Sequence, residues 1–260
     1  MSRFPFGLPA TRRPPRRPAG SAALFVLGVH PSALHIRWQR PDGMVAGALA
    51  VADEPEVFWD GADAGKRVSH WKDSVGWQPG WGTVNPAGGN GSSGRHIAKH
   101  VLEPLGVSAD AVHFTDCLPT YFVKSGRISQ AQVLAEVYGP FAAAQDLPVA
   151  DLPPRPSASQ LVSRAVEEEG ANLHEQLCEA DAPAIVTLGQ EAADVLAVLT
   201  RADRVVLTPD DTYGRERVIT VDGRKLGWTA LIHPGNRGEV WQRSHARWVR
   251  NHHAAGAPAE

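Results

Sequence analysis

The chain has 260 residues, 43% apolar and 21% charged, with a formal net charge of −2. That length and apolar content can bury a sizeable core and suit one domain, and no apolar run reaches the length of a membrane span. Two cysteines, Cys117 and Cys178, exclude a disulfide framework and a four-thiolate cluster, so a reducing, cytoplasmic setting is expected.

Charge is unevenly placed along the chain. No acidic residue precedes Asp42, whereas Arg3, Arg12, Arg13, Arg16, Arg17, Arg37 and Arg40 all do. Residues 1–20 are rich in proline and arginine and read as a disordered basic arm. The apolar stretch after them is short and broken by Gly28, His30 and Pro31, so a secretory leader is not expected. Residues 21–253 are expected to form one α/β domain, and 254–260 a flexible tail.

Residues 24–29 read as a buried strand, with weaker strand candidates at 46–51 and 57–59. Residues 60–94, rich in Gly, Trp and Asn, read as a long functional loop. A helix is expected over 96–105, then a second strand over 111–115 and a turn at Asp116-Cys117-Leu118-Pro119-Thr120. Helices over 129–138 and 158–179 flank a proline-rich connector. A third strand covers 184–188, and Gly189 opens a helix over 190–199 with apolar residues at helical spacing. Strands at 205–207, 218–221 and 229–232 precede a last helix over 239–252. The alternation of strand, crossover and strand implies a largely parallel sheet covered by helices on both faces.

Two short motifs, about two hundred residues apart, each follow an apolar run: Gly28-Val29-His30-Pro31-Ser32 and His233-Pro234-Gly235-Asn236-Arg237. Each reads as a strand ending in a turn that brings a histidine to the sheet's carboxyl edge, where open α/β sheets bind ligands. Asp116 follows a middle strand, and Leu188-Gly189 joins a strand to a helix. In this order and spacing the segments resemble the uracil-DNA glycosylase superfamily. That family has a Gly-X-(Asp/Asn/Glu)-Pro turn, an Asn-containing segment, a strand-Leu-Gly-helix unit and a His-Pro-(Ser/Gly) loop before a DNA-contacting helix. The resemblance spans residues 24–252. It implies an α/β fold, a three-layer α/β/α sandwich with a central, mainly parallel sheet. It also implies a monomeric, monofunctional glycosylase acting on DNA, expected to be double-stranded, with no metal or other cofactor.

Such an enzyme flips its target nucleotide from the duplex and reads the base in a pocket. Cleaving the N-glycosidic bond places negative charge on the departing base, which fixed donors stabilise. By the resemblance, His233 would donate to the base carbonyl, Gly28 and Pro31 would shape the turn beneath the sugar, and Gly28, Val29, Pro31 and Ser32 would line the base pocket with Asp116, Trp77 and Trp81. Two departures follow. His30 stands where the family places the group that positions water; a neutral histidine can act as general base there, with His35 and Asp73 as substitutes. Asp116 stands where the family reads uracil with an amide. A carboxylate only accepts, which suits the exocyclic amine of cytosine and not the 4-carbonyl of uracil. Because excision of ordinary cytosine would be toxic, the expected target is a modified cytosine, as in defence against modified foreign DNA.

Trp77 and Trp81, with Trp71, are candidates for stacking on the extruded base. The glycine-rich run 88–94 leads into a helix, making Ser92, Ser93 and Arg95 candidate phosphate contacts. His96 and His100 share a helix face but lack a zinc-protease glutamate. Asn236 and Arg237 occupy the family's groove-wedging position after Pro234 and Gly235. Arg243, Arg247 and Arg250 form a basic stripe suited to phosphates. Three alternatives remain open: a uracil-DNA repair glycosylase, a non-catalytic modified-base binding module on the same fold, and an enzyme acting on free nucleosides.

Overall fold

The computed structural model describes residues 1–126, 129–235 and 238–255. Its strands are β1 (Leu24–Gly28), β2 (Ala33–Gln39), β3 (Val45–Asp53), β4 (Thr83–Pro86), β5 (Val112–Asp116), β6 (Ala184–Leu188), β7 (Glu216–Val221) and β8 (Arg224–Leu231). Its principal helices are α1 (Ala64–Ser74), α2 (residues 92–105), α3 (residues 130–144), α4 (Ala158–Ala180), α5 (Gln190–Thr200) and α6 (Glu239–Ala255).

Every residue of β1 is buried, and a strand without a polar face needs cover on both sides. It lies inside a five-stranded sheet of order β5-β1-β6-β8-β7, parallel throughout except for β7 at one edge. Helices flank this sheet, giving a three-layer α/β/α sandwich; α4 packs on α5, and the end of α2 packs on α6. A Ser157–Gln160 capping box starts α4, and Asp181 in a left-handed conformation ends it. Among the described residues, no helix is long and apolar enough to cross a membrane.

The chain divides into two compact units where the composition suggested one domain. The larger, residues 14–30, 93–119 and 156–260, contains the five-stranded sheet. The smaller, residues 1–13, 31–92 and 120–155, contains an antiparallel sheet of order β3-β2-β4. In β2 Leu34, Ile36 and Trp38 are buried while Arg37 and Gln39 are exposed, the alternation of a half-buried strand. The stretch expected as a loop over 60–94 instead holds α1 and β4. Ala64, Val68 and Trp71 form the buried face of α1, spaced four and three residues apart.

The first twenty residues are not the disordered arm that their composition suggested. In the smaller unit Phe4 is fully buried, and Phe6 is packed between Trp38, Trp71, Trp77 and Trp81 at ring separations of 5.0 to 5.8 Å. Two aromatic anchors bury enough surface to offset the ordering of a short segment. The arginines are used locally: Arg13 faces Asp53 at 3.7 Å, and Arg17 pairs with Glu179 at 2.9 Å. Arg16 pairs through its backbone with Phe114, on edge strand β5, and covers that ring with its guanidinium at 4.6 Å.

Two expected strands are absent. Residues 57–59 turn, with Phe58 at φ 55°. Residues 205–207 are held by one side chain: Gln190 donates to the Val205 carbonyl at 2.7 Å and accepts from the Leu207 amide at 2.8 Å.

Candidate active site at the carboxyl edge of the larger sheet

Strands β5, β1, β6 and β8 run parallel, so their carboxyl ends share one edge. Gly28 and Asp116, the last residues of β1 and β5, lie opposite each other in register. Pairing continues past the strands: the Cys117 amide donates to the Gly28 carbonyl at 3.0 Å, and the Leu118 amide to the Val29 carbonyl at 3.1 Å. These bonds hold Gly28-Val29-His30 beside Asp116-Cys117-Leu118. Asp116 is buried at 6% exposure, and His30 is half-buried rather than projected into solvent.

The other two strand ends converge on Gly189. Its amide donates to the Leu231 carbonyl at 2.8 Å. Its φ of 104° is open to glycine and strained for other residues. A Cβ added there would sit 3.4 Å from the His233 Cβ, 3.5 Å from a Val29 methyl and 3.7 Å from Glu191 Oε2. One small residue thus marks the point where the turn after β1, the start of α5 and the loop after β8 meet.

His233 is oriented by its own loop. The Gly235 amide donates to His233 Nδ1 at 3.0 Å. An amide N–H can only donate, so Nδ1 is the acceptor and the neutral ring carries its proton on Nε2. The imidazole therefore offers an N–H donor through Nε2 without being charged. Tyr213 supports the same loop. Its oxygen takes a hydrogen bond from the Ile232 backbone and lies 2.6 Å from His245 Nδ1. His245 Nε2 then donates to the His100 carbonyl at 2.7 Å. The chain of bonds fixes one tautomer for His245, and burial lowers the pKa of that ring. Tyr213 and His245, which no sequence motif marks, thereby tie the His233 loop to α6 and α2.

Glu191 is the carboxylate that motif reading missed. It stands in the first turn of α5, where a helix N-terminus favours negative charge, and it reaches the convergence at Gly189. Cys117 reports the same neighbourhood: burial pushes its thiol well up, and the charges of Asp116 and Glu191 push it further. A fully buried thiol with two carboxylates nearby is no nucleophile.

The remaining expected site residues distribute as follows. Trp77 and Trp81 pack around Phe6 in the smaller unit, so their faces serve a core and not a base. Pro31 is buried; Ser32 is exposed, and its amide donates to Glu54 Oε1 at 2.8 Å within the smaller unit. Burial pushes Glu54 up to about 7. The glycine-rich run is drawn onto β2, where Asn90 accepts from the His35 amide and donates to its carbonyl. Ser92 and Ser93 are half-buried in the first turn of α2, and Arg95 is exposed. His35 is a half-buried ring of the smaller unit, bonded to Ala33 and Gln130, with its pKa lowered to about 4 by desolvation. Asp73 is an exposed residue of α1.

Near the chain's end, Pro234 is buried and Gly235 exposed, while Asn236 and Arg237 lie outside the described residues. Arg243, Arg247 and Arg250 are exposed on α6. Arg247 is already engaged, donating to the Pro209 carbonyl at 2.6 Å and facing Asp210 at 3.4 Å. No protein-family model matches this chain, and no curated protein matches it.

Proposed function

We propose that the chain is a monofunctional DNA glycosylase, resembling the uracil-DNA glycosylase superfamily, that excises a modified cytosine and leaves an abasic site. The observation that carries this reading is the polarity of the edge: a neutral imidazole offering Nε2–H at His233 and a buried acceptor at Asp116. Cytosine presents the complementary pair, a carbonyl acceptor at O2 and an amine donor at N4. In the reaction the C1′–N1 bond breaks and its electron pair leaves with the base. The His233 N–H stabilises the charge that develops on O2. Water adds to C1′, and its proton passes to Glu191 or His30, the two groups of this edge suited to take it. Glu191 answers the departure at His30, because a carboxylate is supplied from α5 instead of the β1 turn. Arg95, Arg243 and Arg250 are exposed cations that this reading assigns to phosphates.

The test is a set of matched duplexes carrying uracil, cytosine, 5-hydroxymethylcytosine or glucosylated cytosine, with abasic sites revealed by alkali. Cleavage confined to a modified cytosine is expected. His233→Ala is expected to lower its rate by about 10²–10³-fold, as for the loss of one preorganised donor. Cleavage at uracil alone discards the Asp116 argument and leaves a repair glycosylase. Tight, salt-sensitive binding without any cleavage makes the protein a modified-base binding module, and cleavage of free nucleosides alone removes DNA from the reading.

A further inference from the structure

At the opposite end of the same sheet, where β6 and β8 begin, three metal-ligating side chains converge. His174 and Cys178 lie one turn apart on α4. Asp222 comes from the two-residue connection between β7 and β8, where Asp222 and Gly223 both have positive φ, 47° and 80°. Asp-Gly with two positive φ values is the signature of a type I′ hairpin turn, whose twist matches the strands it joins. The carboxylate is therefore delivered by a defined turn. Arg224, the next residue, pairs with Asp181 at the end of α4, fastening hairpin to helix beside the cluster.

Cys178 Sγ lies 3.2 Å from Asp222 Oδ2, and His174 Nε2 lies 3.4 Å from Asp222 Oδ1. His174 Nδ1 is 3.9 Å from the sulfur, and one ligand atom from each residue falls within 4.8 Å of the others. Tetrahedral zinc, with bonds of about 2.0–2.3 Å, separates its ligand atoms by roughly 3.3–3.7 Å. The three pairs thus lie within a few tenths of an ångström of such edges, and the half-exposed His174 ring and the Asp222 carboxylate would each turn to present one ligand atom.

We propose that His174, Cys178 and Asp222 form a binding site for one borderline divalent transition-metal ion of the zinc class, with water as fourth ligand. Thiolate, imidazole and carboxylate together match this class and disfavour magnesium and calcium, which require oxygen donors. A thiolate and a carboxylate carry two negative charges, the number that a divalent ion neutralises. Without a cation the Cys178 thiol donates to the Asp222 carboxylate, and a bound metal would replace that shared proton. Asp222 is 63% exposed, which leaves room for the water.

The site lies away from the carboxyl edge, so its role is to clip the β7–β8 hairpin to α4. The expectation of no metal followed the family resemblance, and two cysteines are too few for a thiolate cluster; a mixed set needs only one.

The experiment is titration of the full-length, reduced protein with Co²⁺ alone. Expected are one equivalent bound, a thiolate-to-cobalt charge-transfer band in the near ultraviolet, and displacement of that band by Zn²⁺. Cys178→Ser should abolish the band and Cys117→Ser should keep it. Asp222→Asn, which tolerates the left-handed turn, should weaken binding by at least about tenfold. In parallel, Zn²⁺ should raise the melting temperature of the wild type and not of Cys178→Ser. Absence of the band at stoichiometric Co²⁺, or its persistence in Cys178→Ser, overturns the proposal and leaves a hydrogen-bonded surface cluster.

Discussion

The aromatic core of the smaller unit and the carboxyl edge of the larger one use the chain's conspicuous residues in opposite ways. Around Phe6, four tryptophans meet edge to face or tilted, and Trp38 donates its indole N–H to the Trp81 carbonyl at 2.8 Å. The rings that looked most suited to holding a ligand hold the protein. At the carboxyl edge, the convergence is built from glycine, histidine and carboxylates on short turns. A residue's chemical prominence in a sequence is therefore a weaker guide to a site than its position just past a strand end.

The comparison breaks first on Phe6. Phe6→Ala is expected to cost about 3–5 kcal/mol, the range for deleting a buried aromatic side chain, read as a lower denaturant midpoint. A loss under about 1 kcal/mol would mean that the N-terminal segment is not part of this core. His233→Ala, by contrast, should leave stability within about 0.5 kcal/mol.

The next effect belongs to pH and to the smaller unit. Burial first, and then the charge of Lys124, hold His35 at about 4 against an ordinary 6.5, even with Ala33 accepting from its ring. Its contribution to stability is present above pH 6.5 and is lost as pH falls toward about 4. The amount is on the order of 3 kcal/mol. Glu54 works in the other sense: burial raises it from 4.5 to about 7, so its contribution is present below pH 4.5 and is lost as pH rises toward 7. The opposing slopes overlap between pH 4.5 and 6.5. Glu54→Gln should tilt stability upward with pH across that window relative to wild type. An unchanged slope in chemical denaturation would show that Glu54 ionises normally.

Gly189→Ala should cost about 1–3 kcal/mol for strain at its positive φ, and the added methyl meets His233 and Val29. The rate on the cleaved substrate should fall by more than the stability loss explains. A variant with wild-type stability and rate would dissolve the convergence described for the edge. The last effect is Tyr213→Phe, about 1 kcal/mol for each of the two hydrogen bonds its hydroxyl makes. The accompanying sign is a lower rate at unchanged substrate affinity, because the His233 loop loses its tie to His245.

Much of the larger sheet could be read from the sequence because its strands are short runs closed by Gly or Asp, almost wholly apolar at residues 24–28 and 184–188 and anchored by Val112 and Phe114 at 112–116. The smaller unit was harder to read. Strand β2 alternates cleanly in burial, yet it begins three residues after His30, where Pro31 and Ser32 suggested only a turn. Helix α1 carries its apolar residues at helical spacing, but Gly65 and its charged residues dilute the signal. At the site, His30, Asp116 and His233 were marked by strand-end punctuation. Glu191 was not, because an acid in the first turn of a helix is commonplace until the fold shows what lies beside it. Tyr213, His245 and the trio His174, Cys178 and Asp222 depend on contacts between distant elements, which no local pattern encodes.

The position of β1 also bears on how the chain is made. Leu27 pairs on one side with Thr115 and on the other with Thr187. At roughly 5–20 residues per second, about 8–30 s of synthesis separate Leu27 from its partner on β6. Throughout that interval a fully apolar strand leaves the ribosome with one hydrogen-bonding edge unsatisfied, which is a template for wrong pairing between nascent chains. Yield during expression should therefore depend more on holdase chaperones and lowered temperature than on the stability of the finished protein.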